Sequence, residues 1–251
     1  QAHATLRNAT LRALTALPAG KVRLTMLDPV GLGQSFAGFM RLADHDERLV
    51  DSKIWTEARH IEQRLAGLTE HMETVIQKYL RNEFESIDAY NEKAGEIAEP
   101  YRFLVVADFP TGFTEEAARR LTSIIESGPR CGVFVLIHQD TRSKLPETIS
   151  QEDLTRGVSV LDYDDQHEHT DAAPFVWRDP AYESLPLTLE APPSDTRTAE
   201  ILDEAGRAAL ESGKVEVPFR TLAPASASEM WTEDCAGELS IPLGRAGATR
   251  L

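Results

Sequence analysis

The chain has 251 residues, 41% hydrophobic and 27% charged, enough for one large domain or two small ones with a real core. Its net charge of −15 argues against an extended basic face for gripping nucleic-acid phosphates. Cys131 and Cys235 show neither disulfide-framework nor zinc-motif spacing, and no apolar run reaches the roughly 18–20 residues of a membrane helix, so a reducing cytoplasm is the simplest setting.

Residues Ala2 to Leu17 place Leu6, Ala9, Leu11, Ala13, Leu14 and Leu17 at helical spacings, and Pro18 with Gly20 stops the helix. Val22 to Asp28 is then an apolar, β-rich run that ends on an acid. The turn Asp28-Pro29-Val30-Gly31-Leu32-Gly33 carries a short Gly-x-Gly, which reads either as a phosphate cradle or as a plain strand-to-helix turn. The plain turn, leading into a helix over Gln34 to Leu42, is the simpler reading. From Thr56 or Glu57 to Asn91 an apolar stripe of Ile61, Leu65, Leu68, Met72, Val75, Ile76, Tyr79, Leu80, Phe84 and Ile87 predicts one helix of about ten turns. His60 and His71 are too far apart along it to share a metal and read as part of a solvated face.

The run Tyr101 to Asp108 organises the rest. Phe103, Leu104, Val105, Val106 and Ala107 lack polar alternation, which predicts a parallel strand covered on both faces. After Phe109-Pro110-Thr111-Gly112-Phe113, a helix over Thr114 to Ser127 is expected, with Thr114 as its cap and Leu121, Ile124 and Ile125 on the sheet. Gly128-Pro129-Arg130 ends it, and Gly132 to His138 is a third apolar strand. Alternation of helix and strand predicts an α/β fold with a mostly parallel sheet and right-handed crossovers.

Beyond Pro146 the pattern is thinner. Gly157 to Leu161 and Leu187 to Leu189 read as short strands, with Phe175-Val176-Trp177 between them as an antiparallel edge pair. Ala191-Pro192-Pro193-Ser194 reads as a boundary before a helix over Thr196 to Ser212; Val215 to Phe219 and Pro224 to Ser228 look extended or looped.

The chemistry is expected at one edge. Asp28, Asp108 and His138 are polar tips at the carboxyl ends of three parallel strands, where open α/β sheets place ligands. The cluster Asp162, Asp164, Asp165, His167, Glu168, His169 and Asp171 holds enough donors for a divalent cation, but an acidic loop is the simpler account. The chain has no Gly-x-Ser-x-Gly elbow and no Gly-x-x-x-x-Gly-Lys-Ser/Thr loop.

In this order the stretches resemble the motor domain of the FtsK/SpoIIIE DNA-translocase family over about residues 2–145. Asp28-Pro29-Val30-Gly31-Leu32 resembles the family's strand ending in Asp-Pro-Lys. Met72-Glu73 and Ile87-Asp88-Ala89-Tyr90-Asn91 resemble its Glu-Met and Ile-x-x-Tyr-Asn segment. Phe103 to Asp108 falls where the family has its Walker B strand, and Val135-Leu136-Ile137-His138-Gln139 resembles the strand ending in Ala-Thr-Gln-Arg.

The resemblance implies a RecA-like three-layer sandwich with helices on both faces of the sheet and one long inserted helix. It implies nucleotide contacts at Asp28, Asp108 and Gln139, with Asp108 holding Mg²⁺ through water. It departs from the family at two points: Ala2 to Leu17 resembles the helix after a P-loop, and Asp108-Phe109 stands where the family has Asp-Glu. Loss of the glutamate removes the general base. Binding of ATP and Mg²⁺ is therefore expected to be weak or absent, in a degenerate module spanning 1–190.

Residues 191–251 would form an extension, in which Leu239-Ser240-Ile241-Pro242-Leu243-Gly244-Arg245 resembles the strand leading into the next module's P-loop. The implied partners are an adjacent FtsK-like ATPase module, further copies in a homo-oligomeric ring, and DNA indirectly, with no membrane contact by this segment. The alternatives are an active hydrolase whose P-loop lies upstream, a module of a type VII secretion-like protein-translocation ATPase, and an assembly scaffold.

Overall fold

Three parallel strands carry the longest apolar runs: β1 (Val22–Leu27), β2 (Tyr101–Phe109) and β3 (Val133–Gln139). A computed structural model, which describes residues 2–163, 175–179, 181–182, 185 and 187–213, orders them β1-β2-β3. Leu27 pairs with Val106, and Val106 with Ile137. The helices in chain order are α1 (Ala2–Ala16), α2 (Ala58–Thr74), α3 (Ile87–Ala94), α4 (Glu115–Ser127), α5 (Gln151–Thr155) and α6 (Asp195–Ser212).

The sheet is buried on both faces because successive side chains of β2 serve different cores. Leu104 and Val106 join Ile61, Leu65, Leu68, Leu121 and Ile124 beneath α2 and α4. Val105 and Ala107 join Leu6, Leu11 and Leu14 of α1, Phe36 and Phe39 of a 3-10 helix at Gln34–Asp44, and Leu202 of α6. Helices on both faces make three layers, the RecA-like arrangement expected. Thr114 caps α4 as the sequence signals, its Oγ1 accepting the Ala117 N–H at 3.1 Å, and Ser194 Oγ caps α6 by accepting the Arg197 N–H at 3.2 Å.

The long helix is shorter than its stripe suggests. α2 continues into a π-helix at Val75–Leu80, and Arg81 and Asn82 then take φ of 43° and 61°, left-handed values that end it. The chain restarts as α3 under a Ser86 cap. A π-turn widens the helix and resets its phase, so Val75, Leu80, Ile87 and Tyr90 all still reach the first core although the helix has broken between them.

His71 is not on a solvated face. Its side chain is 13% exposed, with Nε2 buried and without a hydrogen bond among the described residues. Burial, and then the charge of Arg102, lower its pKa from 6.5 to about 4. The folded state thus binds this proton less readily than the unfolded chain. Stability is complete above pH 6.5 and declines as the pH falls toward 4, by about 2 kcal/mol allowing for screening by the solvent the ring still meets. Urea unfolding between pH 7 and 4.5 should show this slope in the native protein and a flatter one in His71→Gln.

β3 differs from the doubly covered strand its apolar run predicts. Only Val133 is fully buried, and Phe134 to Gln139 are half-buried. Among the described strands β3 pairs on one side only, with β2, which leaves it at the sheet margin. Leu161–Tyr163 pairs antiparallel with Phe175–Trp177, Leu161 opposite Trp177, while Leu187–Leu189 belongs to no strand. The lead-in stretch at Leu239, the Val215 and Pro224 segments, and the acidic cluster beyond Asp162 lie outside the described residues. Among those residues no helix is long and apolar enough to cross a membrane.

Candidate functional site

The alternation of β2 fails at its carboxyl end. Had it continued, Phe109 would face the second core with Val105 and Ala107. Instead the register slips between Val106 and Phe109, Asp108 takes a φ of 55°, and Phe109 enters the first core, where it meets the Phe113 ring edge-on at 4.9 Å. A bulge of this kind re-aims one side chain, and aspartate is among the residues that tolerate left-handed backbone. The side chain it re-aims is Asp108.

Asp108 meets two imidazoles. His3, in the first turn of α1, places Nε2 2.9 Å from Asp108 Oδ1, and His138, on β3, places Nδ1 3.2 Å from the same oxygen. The two rings touch edge to face at 4.8 Å between centroids. Side-chain exposures of 38% for His3, 25% for His138 and 14% for Asp108 describe a half-open hollow. Asp108 Oδ2 is buried with no hydrogen-bond partner among the described residues.

Burial, and then the nearby His3, lower the His138 pKa below its ordinary value, against the pull of Asp108, so the ring is neutral at pH 7. His138 Nδ1 also lies 3.3 Å from the Asp108 N–H, a donor, while Oδ1 beside it is an acceptor. Whichever tautomer the ring adopts, one of those contacts is unmatched.

The other expected site residues belong to separate sets. Asp28 is fully buried, and its two oxygens accept the Gly31 and Ser35 N–H groups, each at 2.9 Å. It closes its own turn and caps the 3-10 helix; a Cβ at Gly31 would stand 2.6 Å from Asp28 Oδ2. Gln139 forms a reciprocal amide pair with Gln151 at the start of α5, at 2.8 and 3.0 Å. Of the three polar strand tips, then, the fold joins Asp108 to His138 and turns Asp28 away.

His3 carried no sequence signal of its own, since nothing local marks a histidine at a helix start as the neighbour of a strand end 105 residues later. Its placement follows from the order of elements alone. Nor does the donor set match Mg²⁺, which takes oxygen ligands and keeps its waters; two imidazole nitrogens beside one carboxylate suit other cations better.

No protein-family model matches the chain, and no curated protein does. Solved structures do. One is EssC (ATPases 2 and 3) from Geobacillus thermodenitrificans, at 14% identity and a TM-score of 0.55 over 86% of this chain and 43% of that one. Another is the cytoplasmic domain of EssC, at 15% identity and a TM-score of 0.50 over 86% of this chain and 44% of that one. The chain spans less than half the length of either. Such identities speak for the fold alone, and the fold they share with this chain is that of an ATPase-type α/β domain.

Proposed function

We propose that the chain is a non-hydrolysing motor-like module of a larger multi-ATPase translocase, serving assembly or regulation of an adjacent ATPase module. The observation that carries this reading is Phe109. At the position where the resembled family has its catalytic glutamate, this chain has a ring with no solvent exposure, packed into the first core beside Ala117 and Leu121. Asp28 and Gln139, the other residues that the resemblance assigns to the nucleotide, are held by partners of their own.

Between protein and DNA as the cargo, the likeness to ATPase domains of EssC and the net charge of −15 favour a type VII secretion-like protein translocase. A DNA translocase of FtsK/SpoIIIE type remains the second reading, supported by the quoted strand and helix motifs. Weak nucleotide binding at the Asp108 edge and a ring of copies are parts of the same proposal.

Steady-state ATP hydrolysis by the whole chain, with Asp108→Ala beside it, tests the core of this reading. The expected rate is indistinguishable between the two and at the buffer background. Turnover that Asp108→Ala abolishes would establish an active hydrolase and end the proposal. Anisotropy of a fluorescent ATP analogue then reports whether nucleotide binds without being cleaved.

A further inference from the structure

We infer that His3 Nε2, His138 Nδ1 and the Asp108 carboxylate form a binding site for a divalent transition-metal ion of the zinc class. The three ligand atoms lie within 4.8 Å of one another. In a tetrahedral site with bonds of about 2.0–2.1 Å, neighbouring ligand atoms stand roughly 3.3 Å apart. The two separations from Asp108 Oδ1, 2.9 and 3.2 Å, are close to that edge length. One edge, between the nitrogens, must shorten or be spanned by the free carboxylate oxygen.

Two further observations point to a cation. Asp108 Oδ2 is buried and has no partner among the described residues, although a buried carboxylate oxygen is costly to leave unpaired. His138 Nδ1 lies 3.2 Å from Asp108 Oδ1, two acceptors facing each other when the nitrogen carries its lone pair, and a cation held by both would relieve that repulsion while taking the lone pair from the Asp108 N–H 3.3 Å away. The partial exposure of His3 leaves a fourth coordination position to water. Two imidazoles and a carboxylate select zinc, cobalt, nickel or copper over magnesium, so the site replaces the oxygen-ligated Mg²⁺ expected at Asp108 with an ion of different chemistry.

The ligands come from three elements distant in sequence: the first turn of α1, the bulged end of β2, and the end of β3. A bound ion therefore ties the start of α1 to the strand ends. The site rests on this geometry and not on the translocase reading, which the hydrolysis assay decides separately.

The experiment is a Zn²⁺ titration of the whole chain against a chromophoric chelator, without nucleotide, at pH 7.5. The variants are His3→Ala, His138→Ala and Asp108→Asn, with His167→Ala/His169→Ala as a control for the second histidine-bearing stretch. One equivalent of Zn²⁺ should bind, survive a millimolar excess of Mg²⁺, and weaken by at least about 100-fold in each of the three single variants, but not in the control. Co²⁺ in its place should give the visible absorption of a four-coordinate site, lost in the same variants. Circular dichroism shows whether each variant is folded; His3, the most exposed of the three, keeps the test decisive if Asp108→Asn or His138→Ala unfolds. Zn²⁺ bound equally by native protein and His3→Ala, or no binding tighter than about 10 μM, overturns the inference.

Discussion

Phe109→Glu, which would place an acid directly after Asp108 as in the resembled family, is expected to unfold the protein. Phe109 has no exposure and touches Phe113, Ala117 and their neighbours in the first core. A glutamate there either stays charged without a partner or takes up a proton at neutral pH, and it loses the ring's packing in both cases. The cost is about 5 kcal/mol or more, comparable with the whole stability of an ordinary domain. Far-UV circular dichroism and thermal unfolding at pH 7 measure it, with Phe109→Leu as the volume-conserving comparison at about 1 kcal/mol. A folded Phe109→Glu with a near-native midpoint would show that the ring is not the core element described.

Gly206→Leu is expected to cost about 3 kcal/mol and to release α6 from the 3-10 helix at Gln34–Asp44. A Cβ at Gly206 would stand 2.3 Å from His45 Cδ2, 2.8 Å from Cγ and 3.2 Å from Cβ. It meets the body of the ring and its root, so rotating the ring tip gives no escape. Around this approach Leu202 and Ala209 are buried in the second core, Arg41 pairs with Asp203 at 3.1 Å, and Ser212 Oγ donates to the Ala19 carbonyl at 2.9 Å. Hydrogen exchange should rise over 195–212 and over Gln34–Asp44, the 3-10 helix beneath, and stay native over α2 and α4. Uniform exchange across both faces would mean that α6 is not a separately docked element. Gly206→Ala should lie between, its helix propensity offsetting part of the clash.

β1 and β2 were legible because each is an apolar run without alternation, as strands covered on both faces are, whereas the same kind of run in β3 did not reveal that it lies at the sheet margin. Thr114 announced its helix because a hydroxyl before a helical pattern has a specific donor to satisfy, whereas Ser194 was read only as the end of a boundary. The break at Arg81 and Asn82 was not read: asparagine tolerates the left-handed backbone and is a turn signal, but the apolar stripe keeps its phase across the gap because the π-turn compensates. His71 looked solvated for a related reason, since spacing gives a helical face but not what covers that face. At the site, Asp108 and His138 could be found as strand tips, whereas His3 required the three-dimensional order of the elements. Asp28 shows the converse, a strand-end acid whose two oxygens close its own turn instead of facing a ligand.

The bulge at the end of β2 couples two neighbouring positions. It sets one residue out of step, so that Asp108 leaves both cores and Phe109 takes the inward place that strict alternation would have assigned to its neighbour. The two positions are therefore not free to change singly. Undoing the slip would send Asp108 into the first core, away from His3 and His138, and residue 109 into the second. A single substitution at either position therefore disturbs a core and the His3–Asp108–His138 cluster together, so the bulge ties the packing of the sheet to the geometry of the site.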